Sequence, residues 1–402
     1  MNVCILTGKF GMGHWMASLS LRQQILEGYP DARVEVVDFP AYAAPKVSEA
    51  WYKAFRLMVS RGSCLFNLYY KLTSLGHPDA RPPFEGLLLD RLAELLAARC
   101  PDVVIATHPL CAQLVSRLKE KAGLKEKAGL DLPLITCVTD VTSHPEWINR
   151  HTDCYLVPSR EVCLGLADRG VDPALVRVTG IPVREEFRHL SHQGGEKQRE
   201  LLIMGGGLGL LPREDAFYEA LDRLPDTHTT LITGHNQRLY EHMQGRFSHI
   251  QVIGYTSQVW DYMEKADLIV TKPGGITLFE AIFAQVPILA WPPTLQQECN
   301  NARWMCEMGM GWVAGSGNCA GEIREILSDQ ERLHRARARM GYLKRQLQTE
   351  ELPGLMEAIS GRRVVRSQAG AVTNGIVYNM ANGIAGSKAN CMANSMAGRA
   401  AV

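Results

Sequence analysis

Short apolar runs alternate with segments of helical periodicity along most of the chain. The first two runs, 3–7 and 34–38, flank a segment at 15–27 whose apolar residues recur at helical spacing. A strand, a helix and a second strand in this order form a β-α-β unit, which implies a parallel sheet. Further runs follow at 101–109, 134–140, 154–159 and 176–183. The first half of the chain is therefore predicted to be a doubly wound α/β domain.

A second alternation begins after the polar, glycine-containing stretch at 189–199, where we place the domain boundary. Its apolar runs lie at 201–204, 230–234, 250–255, 268–271 and 286–291. This pattern favours another doubly wound unit, and ligands of such sheets bind beyond the carboxyl ends of the strands. We predict an α/β protein with two Rossmann-like domains, 1–188 and 189–360, that face a cleft.

The segment at 45–75 breaks this rhythm. It places aromatic and aliphatic residues among lysines and arginines, with no acid after Glu49. Aromatic rings and cations at helical spacing are typical of a helix that lies in a membrane interface. The same pattern also fits two ordinary helices that each bury one face. Both interpretations stay open on the residues alone.

The last segment, 361–402, has a composition of its own. No acid occurs beyond Glu357, and from Ser367 the chain is rich in alanine, glycine, asparagine, serine and methionine. Such a low-complexity segment buries little apolar surface, so we predict that it is a disordered tail.

The strongest local signal lies at 268–297. An apolar run ends in Lys272-Pro273-Gly274-Gly275, and a helical pattern follows directly. The first N–H groups of a helix lack partners and the helix dipole favours an anion there, so a phosphate fits this turn. Thr277 adds a hydroxyl, and Glu280 lies one turn further on, where it can accept from a sugar hydroxyl. The alternative is a tight strand-to-helix turn without a ligand.

The loop after the first strand, residues 8–14, is also rich in glycine. The dinucleotide fingerprint requires a third glycine where Met16 stands, and the P-loop requires a Gly-Lys-Ser/Thr sequence that is absent. What remains is a glycine-rich loop that carries His14, followed by a helix predicted to begin at Trp15.

Composition and charge exclude several classes of protein. Lys+Arg 43 against Asp+Glu 42 gives a net charge of +1, so we expect no nucleic-acid partner. The eleven cysteines form no Cys-x-x-Cys pair, and we interpret them as reduced cytoplasmic thiols. No apolar run is long enough to span a membrane, and we expect no signal peptide. No Asp-x-Asp triplet occurs, so we expect no metal in the site and no cofactor.

Eight motifs occur in the order of a known family. They are Gly11–His14, Thr107–Pro109, Thr139-Asp140 with His144-Pro145-x-Trp147, Gly180–Val183, Ile203–Gly207, Gly254-Tyr255, Thr271–Ala281, and Gln296–Glu298 with Asn301-Ala302. In these motifs the chain resembles GT-B glycosyltransferases of the GT28 type. This group holds monogalactosyldiacylglycerol synthases, processive diacylglycerol glucosyltransferases and, more distantly, the peptidoglycan transferase MurG.

The resemblance implies that the second domain binds a UDP-sugar. The main chain from Ile253 to Tyr255 would contact uracil, and Glu280 would accept from the ribose. The diphosphate would lie against the two glycine loops and a hydroxyl, and two glutamines would hold sugar hydroxyls. These residues are Gly206, Gly207, Gly274, Gly275 and Thr277 for the diphosphate, and Gln296 and Gln297 for the sugar.

The resemblance further implies that the first domain takes the acceptor, with Gly11, Gly13, His108 and His144 in the cleft. An inverting displacement needs a base for the proton of the acceptor hydroxyl, and a histidine with an ordinary pKa suits that role. His14 is the first candidate for the base or for positioning the acceptor; its alternative is a capping or phosphate-contacting role. Asp140 is the second candidate base, or else a structural carboxylate in the turn at Thr139.

The function implied is transfer of a hexose from UDP-hexose to a lipid hydroxyl, with diacylglycerol as the first choice of acceptor. In such enzymes the segment equivalent to 45–75 docks on the membrane, which predicts a peripheral protein on the inner, cytoplasmic face that binds an anionic lipid surface. The alternatives are a MurG-like or small-molecule acceptor, or a nucleotide-sugar-binding protein without turnover.

Overall fold

Two six-stranded parallel sheets, each flanked by helices, form the framework of the protein. The computed structural model describes residues 1–61, 63–74, 85–125, 132–192, 198–206, 209, 211–315, 317–349 and 352–359. Every strand pair in both sheets is parallel, as the β-α-β pattern predicts. The predicted fold class is therefore confirmed.

The first sheet has the strand order β2-β1-β3-β4-β5-β6. Its strands are β1 (Asn2–Thr7), β2 (Arg33–Asp38), β3 (Val103–Ala106), β4 (Leu134–Cys137), β5 (Cys154–Val157) and β6 (Val176–Val178). The helices of this half are α1 (Met12–Gly28), α2 (Phe39–Ala43), α3 (Pro45–Arg61), α4 (Ser63–Ser74), α5 (Glu85–Arg99), α6 (Pro109–Lys125), α7 (Arg160–Ala167) and α8 (Glu185–Arg188).

The second sheet has the strand order β12-β11-β10-β7-β8-β9. Its strands are β7 (Arg199–Met204), β8 (Thr227–Ile232), β9 (Ile250–Ile253), β10 (Leu268–Thr271), β11 (Ile288–Ala290) and β12 (Gly311–Val313). The helices are α9 (Asp215–Asp222), α10 (Gln237–Met243), α11 (Val259–Lys265), α12 (Gly275–Ala284), α13 (Gln296–Glu307), α14 (Cys319–Ser328), α15 (Gln330–Gln346) and a last helix at 352–359.

Each sheet is covered on both faces, which explains why its strands are continuous apolar runs. Along β1, Cys4 and Leu6 pack in a core with α5 and α6, whereas Val3 and Ile5 pack in a second core with α1. Alternate residues of a strand point to opposite faces, so one apolar strand supplies both cores. The second sheet follows the same rule.

The end of the described chain returns to the first sheet. Leu352 and Met356, in the helix at 352–359, pack in the core that contains Val3 and Ile5. Just before this helix, the Gln348 N–H donates to the Val178 carbonyl oxygen at 2.9 Å. Side chains from the end of the second predicted domain thus pack in the core of the first domain. The predicted division at residue 188 stays a prediction.

The main differences from prediction are at element ends. The first helix begins at Met12 instead of Trp15, so Gly13 and His14 lie in its first turn and not in a loop. Gly11 is the residue before the helix and has an extended backbone. The polar residues that end several predicted runs lie beyond the strands; the run at 134–140, for example, is a strand only to Cys137.

Three sequence predictions concern membrane-spanning helices, the cysteines and the C-terminal tail. None of the helices in the described ranges is both long and apolar enough to cross a membrane. The ten cysteines in that part of the chain are free thiols. The predicted disordered tail, 361–402, lies outside the described residues.

Candidate functional site

The topology of the first sheet brings two candidate loops together. β1 pairs with β2 on one side and with β3 on the other, so chain order reverses between β1 and β3. Ligands bind at such a switch point because the loops on either side open away from each other. The loop after β1 carries Gly11, Gly13 and His14, and the loop after β3 carries Thr107 and His108. These motifs are about 90 residues apart in sequence and adjacent in space.

His14 is held at one ring nitrogen. Its Nδ1 lies 2.9 Å from the Thr107 carbonyl oxygen and 2.7 Å from the Thr139 hydroxyl oxygen. A carbonyl oxygen can only accept, so Nδ1 carries the hydrogen and Nε2 keeps its lone pair. Burial lowers the pKa of His14 to about 4. The ring is therefore neutral at pH 7, with Nε2 available to accept a hydrogen bond.

His108 packs edge-on against His14, with 4.7 Å between the ring centroids. The Leu110 N–H donates to His108 Nδ1 at 3.2 Å. Burial and the neighbouring His14 hold the pKa of His108 well below its usual range. Two adjacent imidazoles could not both be charged, and here both are neutral. His108 thus shapes the wall of the cleft beside His14.

Asp140 follows β4, the next strand of the sheet, and is buried. Its Oδ1 has no hydrogen-bond partner among the described residues. Burial raises the pKa of Asp140 to about 7, against hydrogen bonds from Thr142, the Val141 N–H and the Tyr70 hydroxyl that lower it. A buried carboxylate oxygen without a partner costs free energy and calls for an explanation, and a perturbed carboxyl in a cleft is a candidate functional group.

His144 has a different setting from the other two histidines. Its Nδ1 accepts from the Glu146 N–H at 3.4 Å and so caps the 3-10 turn at Pro145–Trp147. Its ring lies 4.7 Å from the Tyr70 ring. The imidazole is therefore fixed between this turn and α4, and contributes to the cleft wall through packing.

Gly11 and Gly13 flank the start of α1. A Cβ added at either position would meet no atom within 4 Å. Neither glycine is required by packing in this structure, which leaves room for a ligand to approach the main chain.

The second sheet has its own switch point. β7 pairs with β8 on one side and with β10 on the other, so the loops after β7 and β10 are neighbours. The first of these loops carries Gly206, whose φ of +67° is left-handed and favours glycine. The second carries Gly274 and Gly275. Gly207, also predicted at the diphosphate, lies outside the described residues.

The turn before α12 has the features of an anion site. Gly274 precedes the helix with an extended backbone and no side-chain cap. A Cβ added to Gly274 would lie 3.8 Å from the Thr277 hydroxyl oxygen, so this hydroxyl points back toward the helix start. The Asn301 side-chain amide donates to the Pro273 carbonyl oxygen at 2.8 Å and fixes the turn from α13.

Gly275 joins the two halves of the molecule. A Cβ at this position would lie 3.0 Å from the Thr139 carbonyl oxygen and 3.0 Å from Ile181 Cδ1. Such distances are tighter than most Cβ contacts, so a side chain here would push the start of α12 and the loop that carries Asp140 a few tenths of an ångström apart. We predicted this glycine for contact with a phosphate, and the structure shows a second reason for it.

Glu280 lies one turn into α12. Burial raises the pKa of Glu280 to about 7, and the positive charge of Arg184 lowers it. Arg184 also donates to the Ser257 carbonyl oxygen at 2.6 Å and stacks over the Trp260 ring. Arg184 thus extends from the end of the first half across to the second, next to the candidate ribose ligand.

The candidate uracil contacts lie at the end of β9. The Ile253 carbonyl oxygen already accepts from the Thr233 N–H at 2.8 Å. Tyr255 is 62% exposed, and its ring stacks in parallel on His235 with 4.3 Å between centroids. Together the two rings form an exposed aromatic surface beside the candidate uracil site.

Gln296 and Gln297 are the first two residues of α13. The Gln296 amide nitrogen donates to the Asn300 side-chain oxygen at 3.1 Å, and the Gln296 main-chain N–H donates to Asn67 Oδ1 at 2.7 Å. A cavity of about 600 Å³ opens here between α4, the loop at 142–145 and α13. Its lining includes His144 from the candidate acceptor residues and Gln296 from the candidate sugar residues.

Sequence reasoning missed several residues of the site. Asn67 and Tyr70 were assigned only to an aromatic and basic segment, and Arg184, His235 and Asn301 were given no role. The single asparagine in that segment, Asn67, is a weak signal, and its partners Thr294 and Gln296 lie more than 200 residues away. Within the described ranges, no group of three His, Cys, Asp or Glu side chains is placed to hold a metal ion.

The chain is similar in sequence to the proteins of one described family. Residues 14–183 match the family described as Monogalactosyldiacylglycerol (MGDG) synthase. A processive diacylglycerol beta-glucosyltransferase of Staphylococcus carnosus (strain TM300) is 26% identical over 367 residues, which cover 87% of this chain and 91% of that protein. The resemblance stated above is therefore confirmed.

Solved structures support the GT-B fold. The glycotransferase of kitacinnamycin has a TM-score of 0.59 and 16% identity, covering 89% of this chain and 98% of its own. MurG of Acinetobacter baumannii has a TM-score of 0.57 and 14% identity, covering 89% of this chain and 99% of its own. At these identities the likeness shows the fold alone.

Proposed function

We propose, on the premise of this similarity to monogalactosyldiacylglycerol synthases and processive diacylglycerol glucosyltransferases, that the protein is an inverting glycosyltransferase. It transfers a hexose from UDP-hexose to the hydroxyl group of diacylglycerol at a membrane surface. The observation that carries the proposal is the approach of α12 to the Asp140 loop, where a Cβ on Gly275 would lie 3.0 Å from the Thr139 carbonyl oxygen. The candidate phosphate site at the start of α12 and the candidate general base Asp140 thus share one cleft.

The donor lies across the second sheet's switch point in this proposal. The diphosphate accepts from the first N–H groups of α12, which have no intrahelical acceptors, and from the main chain near Gly206. The ribose hydroxyls donate to Glu280, and uracil lies beside the Tyr255 ring. Gln296 and Gln297 hold the hexose. Backbone dipoles and the helix start supply the positive potential, so a metal ion is not required.

Asp140 is the residue we assign as the base. The acceptor hydroxyl attacks the anomeric carbon, its proton passes to a carboxylate oxygen of Asp140, and the bond from that carbon to the phosphate oxygen breaks. UDP leaves with the bonding electrons, and the configuration at the anomeric carbon inverts. A base with a pKa near the working pH is both free to accept a proton and strong enough to do so. Asp140, with a pKa of about 7, meets this condition.

His14 positions the acceptor in this proposal. Its Nδ1 is engaged by Thr107 and Thr139, so the ring presents Nε2 as an acceptor for the attacking hydroxyl. A pKa of about 4 makes His14 a weak base at neutral pH. It can still accept a hydrogen bond from the hydroxyl in the substrate complex, which holds the oxygen beside the anomeric carbon. The hydroxyl has a single hydrogen, which turns from Nε2 to the Asp140 carboxylate as the oxygen attacks.

The lipid side of the proposal depends on α3 and α4. Tyr52 and Phe66 are buried, so the segment at 45–75 contains two helices that each bury one face. The outward positions carry exposed leucines, with Leu57 at 56% and Leu72 at 61%, together with exposed lysine and arginine, whereas Leu68 lines the cavity beside α13. Exposed leucines among cations suit an anionic membrane surface, and in this proposal the protein binds peripherally to the cytoplasmic face of the membrane.

Membrane binding gives one prediction. We expect the double variant Leu57→Ser/Leu72→Ser to bind anionic vesicles about tenfold more weakly, because two exposed leucines that would enter the lipid surface are lost. The measurement is flotation with phosphatidylglycerol-containing vesicles. Leu87→Ser/Leu164→Ser is the matched control, since both leucines are comparably exposed, at 56% and 51%, on other helices. Equal loss in the two double variants, or no loss in either, would contradict the assigned surface.

Donor binding gives a second prediction. Glu280 accepts best when ionised, so we expect the Kd for UDP to rise several-fold as the pH falls from 8 to 6, through its pKa of about 7. In Glu280→Gln this pH dependence is lost and binding is about tenfold weaker. Calorimetry with 2′,3′-dideoxy-UDP is the control, because this analogue has the same titrating diphosphate without the ribose hydroxyls. An unchanged pH dependence in Glu280→Gln would remove the ribose role.

The proposed function itself is tested by product analysis. The protein is incubated with a panel of radiolabelled UDP-hexoses and vesicles that contain diacylglycerol, and the lipid extract is resolved. We expect label in a glycolipid, with turnover unaffected by EDTA. Label in a lipid-linked peptidoglycan precursor or in a small molecule would reassign the acceptor. Binding of UDP without product in any mixture would indicate a nucleotide-sugar-binding protein.

A further inference from the structure

Helix α4 belongs to the first half of the chain but touches the candidate sugar residues of the second. Asn67 makes two hydrogen bonds across the cleft: its Oδ1 accepts from the Gln296 N–H at 2.7 Å, and its Nδ2 donates to the Thr294 carbonyl oxygen at 2.9 Å. One side-chain amide thus forms hydrogen bonds with main-chain groups on both sides of Leu295, the residue that precedes α13.

The start of α13 explains why this contact matters. The N-cap position is occupied by Leu295, whose side chain cannot accept a hydrogen bond. Asparagine, aspartate, serine and threonine are the usual caps, because a helix start leaves N–H groups without partners. From the opposite half of the molecule, Asn67 supplies an acceptor oxygen for the first of these N–H groups, that of Gln296. The cap of α13 is therefore present only while the two halves are docked at α4.

A second contact, one helical turn along α4, reinforces the first. The Tyr70 hydroxyl lies 3.0 Å from the Thr142 hydroxyl and accepts from the Asn300 amide at 3.4 Å. Asn300 in turn accepts from the Gln296 side-chain amide at 3.1 Å. Both the main chain and the side chain of Gln296 are thus oriented from α4, directly or through Asn300.

We propose that Asn67 is a positioning residue for the donor hexose, which orders the start of α13 so that Gln296 and Gln297 face the sugar. The inference rests on the proposed UDP-hexose donor. It assigns α4 a role in donor binding in addition to its proposed contact with the lipid surface. The uridine, ribose and diphosphate contacts are made by other loops and do not depend on Asn67.

The test compares UDP-hexose with UDP by calorimetry, without lipid. For Asn67→Ala we expect the Kd for UDP-hexose to rise about three- to tenfold, the effect of losing a helix cap, while the Kd for UDP is unchanged. Asn67→Asp keeps the acceptor oxygen for the Gln296 N–H, at a helix start that favours negative charge, but loses the donor to the Thr294 carbonyl oxygen. Its affinity for UDP-hexose should therefore lie between those of the wild type and of Asn67→Ala.

Asn318→Ala is the matched control. Asn318 caps α14 by accepting from the Gly321 N–H at 3.1 Å, so this variant loses a cap of the same kind away from the cleft. We expect no change in either Kd. An unchanged Kd for UDP-hexose in Asn67→Ala, equal weakening of UDP and UDP-hexose, or an Asp variant no better than Ala would overturn the inference. A wild-type protein that binds UDP and UDP-hexose equally would overturn the proposed hexose contacts as well.

Discussion

Replacing Asp140 with asparagine is expected to reduce the rate of hexose transfer by about two to four orders of magnitude, the usual contribution of a general base. The variant keeps the size of the side chain and one oxygen for the Thr142 and Val141 donors. It cannot take up the proton of the acceptor hydroxyl. The measurement is kcat with saturating UDP-hexose and lipid, and the Kd for UDP is the control, which we expect to be unchanged.

The same substitution should make the protein more stable at alkaline pH. The pKa of Asp140 is raised from 3.8 to about 7, so the folded state favours the neutral carboxyl. This contribution is complete below pH 3.8 and is lost as the pH rises through 7, which amounts to about 4 kcal/mol at most. Asparagine stays neutral at every pH and avoids that loss. We expect a higher Tm than wild type at pH 8 and a smaller difference at pH 5.

An inactive variant that is also more stable would exclude misfolding as the cause of its inactivity. Loss of activity together with a lower Tm at pH 8 would instead support the structural alternative, in which Asp140 ties down the turn at Thr139. Retention of more than about a tenth of the wild-type rate would contradict the role of base.

The framework of the protein could be predicted because it depends on local patterns. Strands such as β3 and β4 are short apolar runs bounded by polar residues, and the glycine turns mark where helices begin. The parallel sheets then place the carboxyl ends of the strands on one edge. That is why Gly206 and Gly274, or His14 and Thr107, are neighbours despite their separation in sequence.

Contacts between the halves could not be predicted in this way. The amide of Asn67 replaces a cap that Leu295 cannot supply, and these residues are 228 positions apart by their numbers. No periodicity or spacing connects them. Gly275 shows a similar limit: its sequence context indicates a phosphate turn, whereas its packing against Thr139 depends on how the two sheets are docked.

The chemical ranking of the two candidate bases also required the structure. A histidine in a glycine-rich loop has an ordinary pKa near neutrality, which favoured His14. Burial reverses this order, because it penalises the charged imidazolium of His14 and the charged carboxylate of Asp140 alike. The pKa of the first falls to about 4 and that of the second rises to about 7.

Replacing His14 with asparagine is expected to lower kcat/KM for the lipid acceptor by about ten- to a hundredfold, with a smaller effect on donor binding. The asparagine amide can donate to the Thr107 carbonyl oxygen in place of Nδ1, so the anchor is kept while the acceptor at Nε2 is lost. His14→Ala is the comparison, because it removes the anchor as well. We expect the alanine variant to be less stable than the asparagine variant.

The pH profile separates positioning from proton transfer. The profile is measured as kcat with saturating UDP-hexose, so that the titration of Glu280, which affects donor binding near the same pH, does not contribute. If Asp140 is the base, kcat falls as the pH drops through about 7, and this limb persists in His14→Asn because the titrating carboxyl is still present. In Asp140→Asn the residual activity should lose that limb. If His14 were the base, the limb would lie near pH 4 and would vanish with the histidine instead. The position of the limb in the wild type, and the variant in which it disappears, thus assign the two roles independently of the size of either rate loss.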